Sequence, residues 1–315
     1  MTVDDITRIA VVGAGLMGHG IAQEFAVAGY EVQLHDQSAD VLGHAIGRIE
    51  GNLELLVGLG MVGQDQFGPA LSRIRATASL GEAVAEADLV VEAVFEDLGL
   101  KQRLLADLDR LCAPRAILAS NTSTFLPSTL AAATRRPDKV LVAHYFNPPH
   151  LLPLVELVRG EATSDETVTT VCDLLVRIGK RPVLVQKEVP GFIGNRLLVA
   201  LFREALALVE QGIATPEDVD AVVTHGFGRR FGAAGPFALW ELAGLDLIGE
   251  VMARLLPEIA DGHEVSPLLT DRVARGEFGV KAGKGFYDWT PEAAEALRRR
   301  IAAALVAVAR WSAPA

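Results

Sequence analysis

A chain of 315 residues is long enough for two domains, each with its own core. Half of it is hydrophobic and 22% is charged, an ordinary globular balance. Its 29 Lys and Arg against 40 Asp and Glu leave a formal charge of −11, which speaks against a nucleic-acid or anionic-membrane surface.

The chain runs at once into a β-branched stretch at Ile9–Val12, with no basic segment and apolar core ahead of it, so no signal peptide is expected. Apolar runs fall short of the ~20 residues needed to span a bilayer. The expectation is a cytoplasmic protein that engages neither membrane nor nucleic acid. Strands are predicted at Ile9–Val12, Glu31–His35, Leu89–Val94, Ala116–Ala119 and Val140–His144, and helices at Met17–Ala28, Ser38–Val57 and Leu98–Leu111. Continuous apolar strands alternating with amphipathic helices indicate a parallel sheet covered on both faces. Two further strands, Leu152–Val158 and Pro182–Gln186, flank a helix at Asp165–Ile178. From Pro190-Gly191 onward the pattern is helical, with Phe192–Gln211, Pro216–Thr224 and an Ala-rich last helix around Pro291–Val308. Glycine-rich loops are expected at Gly226–Gly235 and Gly276–Gly285. Cys112 and Cys172 form no CxxC and no metal-ligand spacing, so they read as two buried thiols, and no metal site is expected.

Gly13-Ala14-Gly15-Leu16-Met17-Gly18 follows the first strand and opens the first helix. In such a turn the first glycine allows the tight bend, the second admits a pyrophosphate, and the third lets helix and strand pack closely. Glycine turns are common, so the pattern alone is weak. Asp36 at the end of the next strand strengthens it, because a carboxylate there accepts the ribose hydroxyls and repels a 2′-phosphate. The cofactor is therefore NAD. The fold is α/β, a Rossmann-type doubly wound, mostly parallel sheet over residues 1–188, followed by an all-α domain over 189–315.

The strand Val140–Ala143 ends in His144, and the chain returns through Leu152–Val158, which brings Glu156 within reach of it. Alcohol oxidation needs a base for the hydroxyl proton. Histidine suits this near neutral pH, and a carboxylate on its second nitrogen fixes the tautomer and stabilises imidazolium. Ser120-Asn121-Thr122-Ser123 and Asn195 offer donors for the developing carbonyl oxygen or the substrate tail.

Taken together, these blocks resemble the L-3-hydroxyacyl-CoA dehydrogenases over nearly the whole chain. The resemblance runs from GAGLMGHGIA at Gly13–Ala22 through SNTST from Ser120, AHYFNP from Ala143, PLVELV from Pro153 and GFIGNRLL from Gly191 to FGVKAGKGFYDW at Phe278–Trp289. It implies His144 as base, Glu156 as its partner, Ser123 and Asn195 as substrate contacts, and Glu96, Lys101 and Asn147 on the cofactor side. It also implies a homodimer through the helical domain.

Three departures bear on the substrate. Ser38–Gln66 contains Arg48 but none of the lysines that acyl-CoA members carry there. Pro148–Pro153 looks more like relatives acting on free acids, such as L-gulonate 3-dehydrogenase, and the long Gly226–Pro236 loop with Arg229 and Arg230 is similar to that of gulonate-type and pyridoxine-degrading dehydrogenases. Arginine grips a carboxylate bidentately, so Arg230 is the candidate receptor for a free acid. A small free 3-hydroxy acid is therefore expected as substrate. The alternative is a 3-hydroxybutyryl-CoA dehydrogenase, since the Phe278–Trp289 tail resembles that of the acyl-CoA enzymes. A non-catalytic crystallin-like NAD-binding protein is a remote alternative that the retained polar residues disfavour. A decarboxylating β-hydroxyacid dehydrogenase would carry a lysine within Phe192–Gln211, and there is none.

Overall fold

The computed structural model describes residues 1–312, and the chain divides into two compact units, Met1–Asn195 and Arg196–Ala315. The first holds an eight-stranded sheet in the order β3-β2-β1-β4-β5-β6-β7-β8. Its strands are β1 (Arg8–Val12), β2 (Glu31–His35), β3 (Ile74–Thr77), β4 (Leu89–Glu92), β5 (Ile117–Ser120), β6 (Val140–Tyr145), β7 (Leu154–Arg159) and β8 (Arg181–Val185). All neighbours run parallel except β6 and β7. The connections supply α1 (Gly18–Val27), α2 (Ala39–Gly58), α3 (Gln64–Ser72), α4 (Leu80–Val84), α5 (Leu98–Leu111), α6 (Pro127–Ala131) and α7 (Asp165–Arg177).

Successive strand side chains point to opposite faces, and here both faces are dry. Ile9 and Val11 of β1 join Ile21, Phe25, Leu34, Ile49 and Leu53 in one core, while Ala10 and Val12 join Val90, Leu105, Leu108, Leu118 and Val142 in the other. Side-chain caps fix where the helices begin. Ser38, Asp97 and Ser164 accept from the amides of Val41, Leu100 and Thr167 at the starts of α2, α5 and α7. Strand order reverses between β1 and β4, and in open α/β sheets the ligand crevice lies beyond the carboxyl ends of the strands at that point.

Two sequence expectations need correction. Strand β3, with α3 before it, lies where no strand was expected; it is an edge strand of which only Ile74 is buried, so it carries little apolar signal. Cys172 is only half-buried, unlike Cys112, whose thiol burial pushes up to about 11.

The second unit is helical, continuing α8 (Gly194–Glu210) into α9 (Pro216–His225), α10 (Gly228–Phe231), α11 (Pro236–Ala243), α12 (Leu245–Leu255), α13 (Pro267–Ala274) and α14 (Pro291–Ser312). The segment expected as a loop at Gly226–Gly235 thus contains a short helix. Gly276–Gly285 has no helix, and its described pairing consists of isolated bridges from Lys284 to Gly279 and to Asp288.

Candidate active site

At the turn after β1, Gly13 has φ +100°, and a side chain there would strike the Ala93 carbonyl at 2.6 Å. A Cβ on Gly18 would sit 1.7 Å from the Gly13 carbonyl oxygen, whereas one on Gly15 would meet no atom within 4 Å. The first and third glycines are demanded by the protein itself. The second leaves open space where a dinucleotide backbone comes close, so the three positions fit NAD. Asp36 follows β2 and accepts from the amides of Ala14 and Ser38, both at 3.0 Å, which locks its carboxylate beside the glycine turn.

His144 and Glu156 are directly paired residues of antiparallel β6 and β7. Their side chains meet on one face, with Nδ1 2.8 Å from a Glu156 carboxylate oxygen. Both are buried, at 6% and 1% exposure. The other carboxylate oxygen accepts from the amides of Ile193 at 3.0 Å and Gly194 at 2.8 Å, at the start of α8. Burial pushes the Glu156 carboxyl upward, but these donors outweigh it and hold the group below the usual carboxylate range. An ionised carboxylate can only accept, so Nδ1 carries the proton and Nε2 keeps its lone pair.

Two aromatic rings confine the imidazole. Phe146 lies 4.7 Å and Phe192 5.6 Å from it, centroid to centroid. Phe192 has φ +52°, the left-handed region that bulky residues avoid, and follows Gly191 at φ +76°. This unusual pair of residues precedes the two amides that hold Glu156. Gly194 has no room for a side chain, because a Cβ would lie 2.6 Å from the Phe146 ring.

Four of the remaining predicted residues of the first unit, Ser123, Asn195, Glu96 and Lys101, join one network. Asn195 donates to the Ser123 carbonyl at 3.3 Å. One Glu96 oxygen accepts from Thr122 Oγ1 at 2.6 Å, from the amide and hydroxyl of Ser123 at 3.0 and 3.3 Å, and from the amide and hydroxyl of Thr124 at 3.1 and 2.8 Å. Burial opposes ionisation of Glu96, but these donors and the Lys101 charge pull its carboxyl below the usual range. Lys101 is itself enclosed at 1% exposure, 2.7 Å from Glu92 and 3.3 Å from Glu96. It lies beneath the cleft wall and fixes Glu96 in place. Asn147 is exposed just beyond β6. Arg230 lies exposed on α10 of the second unit, beside the exposed Arg229.

Sequence reasoning missed Glu92, Phe146 and Phe192. Glu92 had a signal: a carboxylate at the end of a fully buried strand needs a partner, and Lys101 one turn into the next helix supplies it. The two phenylalanines gave none, because their value depends on register and on one unusual backbone angle.

The model of the 3-hydroxyacyl-CoA dehydrogenase NAD-binding domain matches residues 8–189, and that of the family's C-terminal domain matches 191–289. The chain belongs to the 3-hydroxyacyl-CoA dehydrogenase family. It is an NAD-dependent dehydrogenase acting on CH–OH donors. Within this family it is 37% identical over 305 residues to the 5-formyl-3-hydroxy-2-methylpyridine 4-carboxylate 5-dehydrogenase of Mesorhizobium japonicum, covering 97% of this chain and 98% of that one. A crystal structure of a dehydrogenase of that name, described as an NAD+-dependent dismutase, superposes with a TM-score of 0.91 at 37% identity, covering 97% and 98% of the two chains. The (S)-3-hydroxybutyryl-CoA dehydrogenase of Ralstonia eutropha gives a TM-score of 0.75 at 35% identity, over 91% of this chain and all of that one, at 100%.

Proposed function

We propose that this dehydrogenase oxidises the hydroxyl-bearing carbon of a small substrate with a free carboxylate, a 3-hydroxy acid, using His144 as base. The observation that carries the reading is the buried His144–Glu156 pair at 2.8 Å, with Nε2 left as an acceptor. Nε2 takes the hydroxyl proton, and Glu156 stabilises the imidazolium that results. Ser123 and Asn195 orient the substrate oxygen and tail. NAD accepts the hydride when bound. The turn shaped by Gly13 and Gly18 and left open at Gly15 would hold its pyrophosphate, Asp36 its ribose, and Glu96 and Asn147 would line the cofactor side, with Lys101 acting through Glu96. Residues 1–188 form the nucleotide-binding part and 189–315 the helical part, of which 313–315 lie outside the described residues.

Support for a free acid comes from three sides. The relative matched over 97% of this chain is named for a pyridine carboxylate. Residues 38–66 contain no lysine for CoA phosphates, and Arg229 and Arg230 stand exposed to grip a carboxylate. A second reading, 3-hydroxybutyryl-CoA, is favoured by the relatives that bear that name. NADH production over a panel of free 3-hydroxy acids, pyridine carboxylates and CoA thioesters separates the two. Under the free-acid reading, Arg230→Leu raises KM for the acid by about 1.5–3 kcal/mol equivalent, the scale of a hydrogen bond to a charged group. Efficient use of 3-hydroxybutyryl-CoA alone, with Arg230→Leu harmless, overturns it.

A homodimer through the helical part is proposed as well. Leu197, Leu198, Phe202, Trp240 and Leu242 are exposed on α8 and α11, large apolar side chains that a second copy would cover. Sedimentation as a monomer at micromolar concentration rejects it. Among the described residues no helix is long and apolar enough to cross a membrane.

A further inference from the structure

The segment between β6 and β7 carries Asn147 and follows His144 directly, so its placement matters to the chemistry proposed above. One side of it rests on α1, the helix that begins at the glycine turn. A Cβ on Gly20 would lie 2.6 Å from the Pro149 ring and 3.6 Å from His150 Nδ1, so ring and helix backbone are in contact. The segment's main chain is held by Lys180, buried at 8% exposure between α7 and β8. Its ammonium donates to the Pro149 carbonyl at 2.7 Å and toward the Leu152 carbonyl at 3.4 Å, and it pairs with Glu24. Glu24 is one turn beyond Gly20 on the same face of α1. A lysine taken out of water needs compensating partners, and here two of them are carbonyls of a connecting segment. The arrangement is costly for a plain structural link. Burial pushes the Glu24 carboxyl up even with Lys180 beside it.

We propose that Lys180 and Gly20 are positioning residues for the reaction: they clamp residues 147–152 onto the dinucleotide helix and so set where His144 and Asn147 stand relative to the bound cofactor. This rests on the His144 reading given above.

The test uses the full-length enzyme and whichever panel substrate it oxidises. Glu24→Gln removes the buried charge but leaves the lysine its carbonyls, so kcat stays within about threefold of the unchanged enzyme. Glu24→Gln combined with Lys180→Met releases the segment without stranding a buried charge. Its kcat is expected to fall at least tenfold, with the dissociation constant for NAD moving less than threefold. Gly20→Ala leaves the ion pair intact and pushes on the Pro149 ring directly, and the same split between kcat and NAD binding is expected; this variant decides the matter should the double variant not fold. Melting temperatures are measured in parallel, since a merely structural link would lower them and leave kcat alone. Normal kcat in the double variant or, if that does not fold, in Gly20→Ala overturns the proposal. His144→Gln run alongside separates the two ideas: if it stays active the base assignment is wrong, and if it is inactive while the clamp variants are normal only the clamp is wrong.

Discussion

A histidine can act as a base only through a ring nitrogen that keeps its lone pair, and Glu156, facing Nδ1, leaves that place to Nε2 of a neutral His144 ring. Replacing His144 by Gln is expected to lower turnover by roughly 10²–10⁴, the usual contribution of a general base, with NAD binding nearly unchanged. Stopped-flow turnover and NAD titration check the two halves, and near-normal turnover would sink the assignment. The pH dependence has a definite sign. Glu156 is held below the ordinary carboxylate range, against its own burial, so it stays ionised while the imidazole takes up a proton. Under the proposed assignment, loss of oxidation on the acid side would come from His144, since a base cannot accept a proton it already holds. In Glu156→Gln the imidazolium loses its counter-charge, so the acid limb should move to lower pH as the maximal rate drops.

At the scale of elements, the glycine turn separates folding from binding. Gly15→Ala adds a methyl group into open space, so the melting temperature should stay within a few degrees while NAD affinity falls. Gly18→Ala drives a methyl group into the Gly13 carbonyl and should damage both. Calorimetric melting and NAD titration distinguish the cases, and a Gly15→Ala enzyme with unaltered affinity would show that the pyrophosphate lies elsewhere. The elements legible in the sequence were those with a clear apolar run or helical spacing. Glu31–His35 and Leu98–Leu111 fall where their apolar spacing puts them, because no competing signal exists there. Strand β3 escaped notice because an edge position asks for only one buried side chain. The short helix at Gly228–Phe231 was hidden by its flanking glycines. Within the site, His144 and Glu156 were legible because their chemistry is rare and a short return joins them. Lys180 was not, since its partners are main-chain carbonyls that no residue code announces.

For the whole molecule, buried carboxylates set the limit on the acid side. Burial pushes Asp88, Glu96, Asp109 and Glu156 upward, but arginines, hydroxyls, amides and His144 pull each below its ordinary value, 3.8 for Asp and 4.5 for Glu. A group lowered in the folded state gives stability that is complete above those ordinary values and is lost as pH falls through the folded ones. Glu24 has the opposite sign: its raised carboxyl is a burden at neutral pH, relieved by acid. His19 and His150 add to the side of the four lowered carboxyls earlier in the titration, since burial lowers both from the ordinary 6.5, His150 to about 4. The melting temperature should therefore begin to fall below about pH 6.5 and fall further below about pH 4. A melting temperature that rose on acidification would contradict this balance. The left-handed Phe192 bears on the same quantity from another direction, because a bulky side chain in that conformation costs on the order of 1–3 kcal/mol. Anyone engineering a hardier version of this enzyme by relieving unfavourable backbone angles would be drawn to Phe192→Gly first. Its ring is buried in the core at 1% exposure, and emptying such a site costs about 3–5 kcal/mol, more than the angle returns. The exchange would yield a softer fold and strip one wall from around His144.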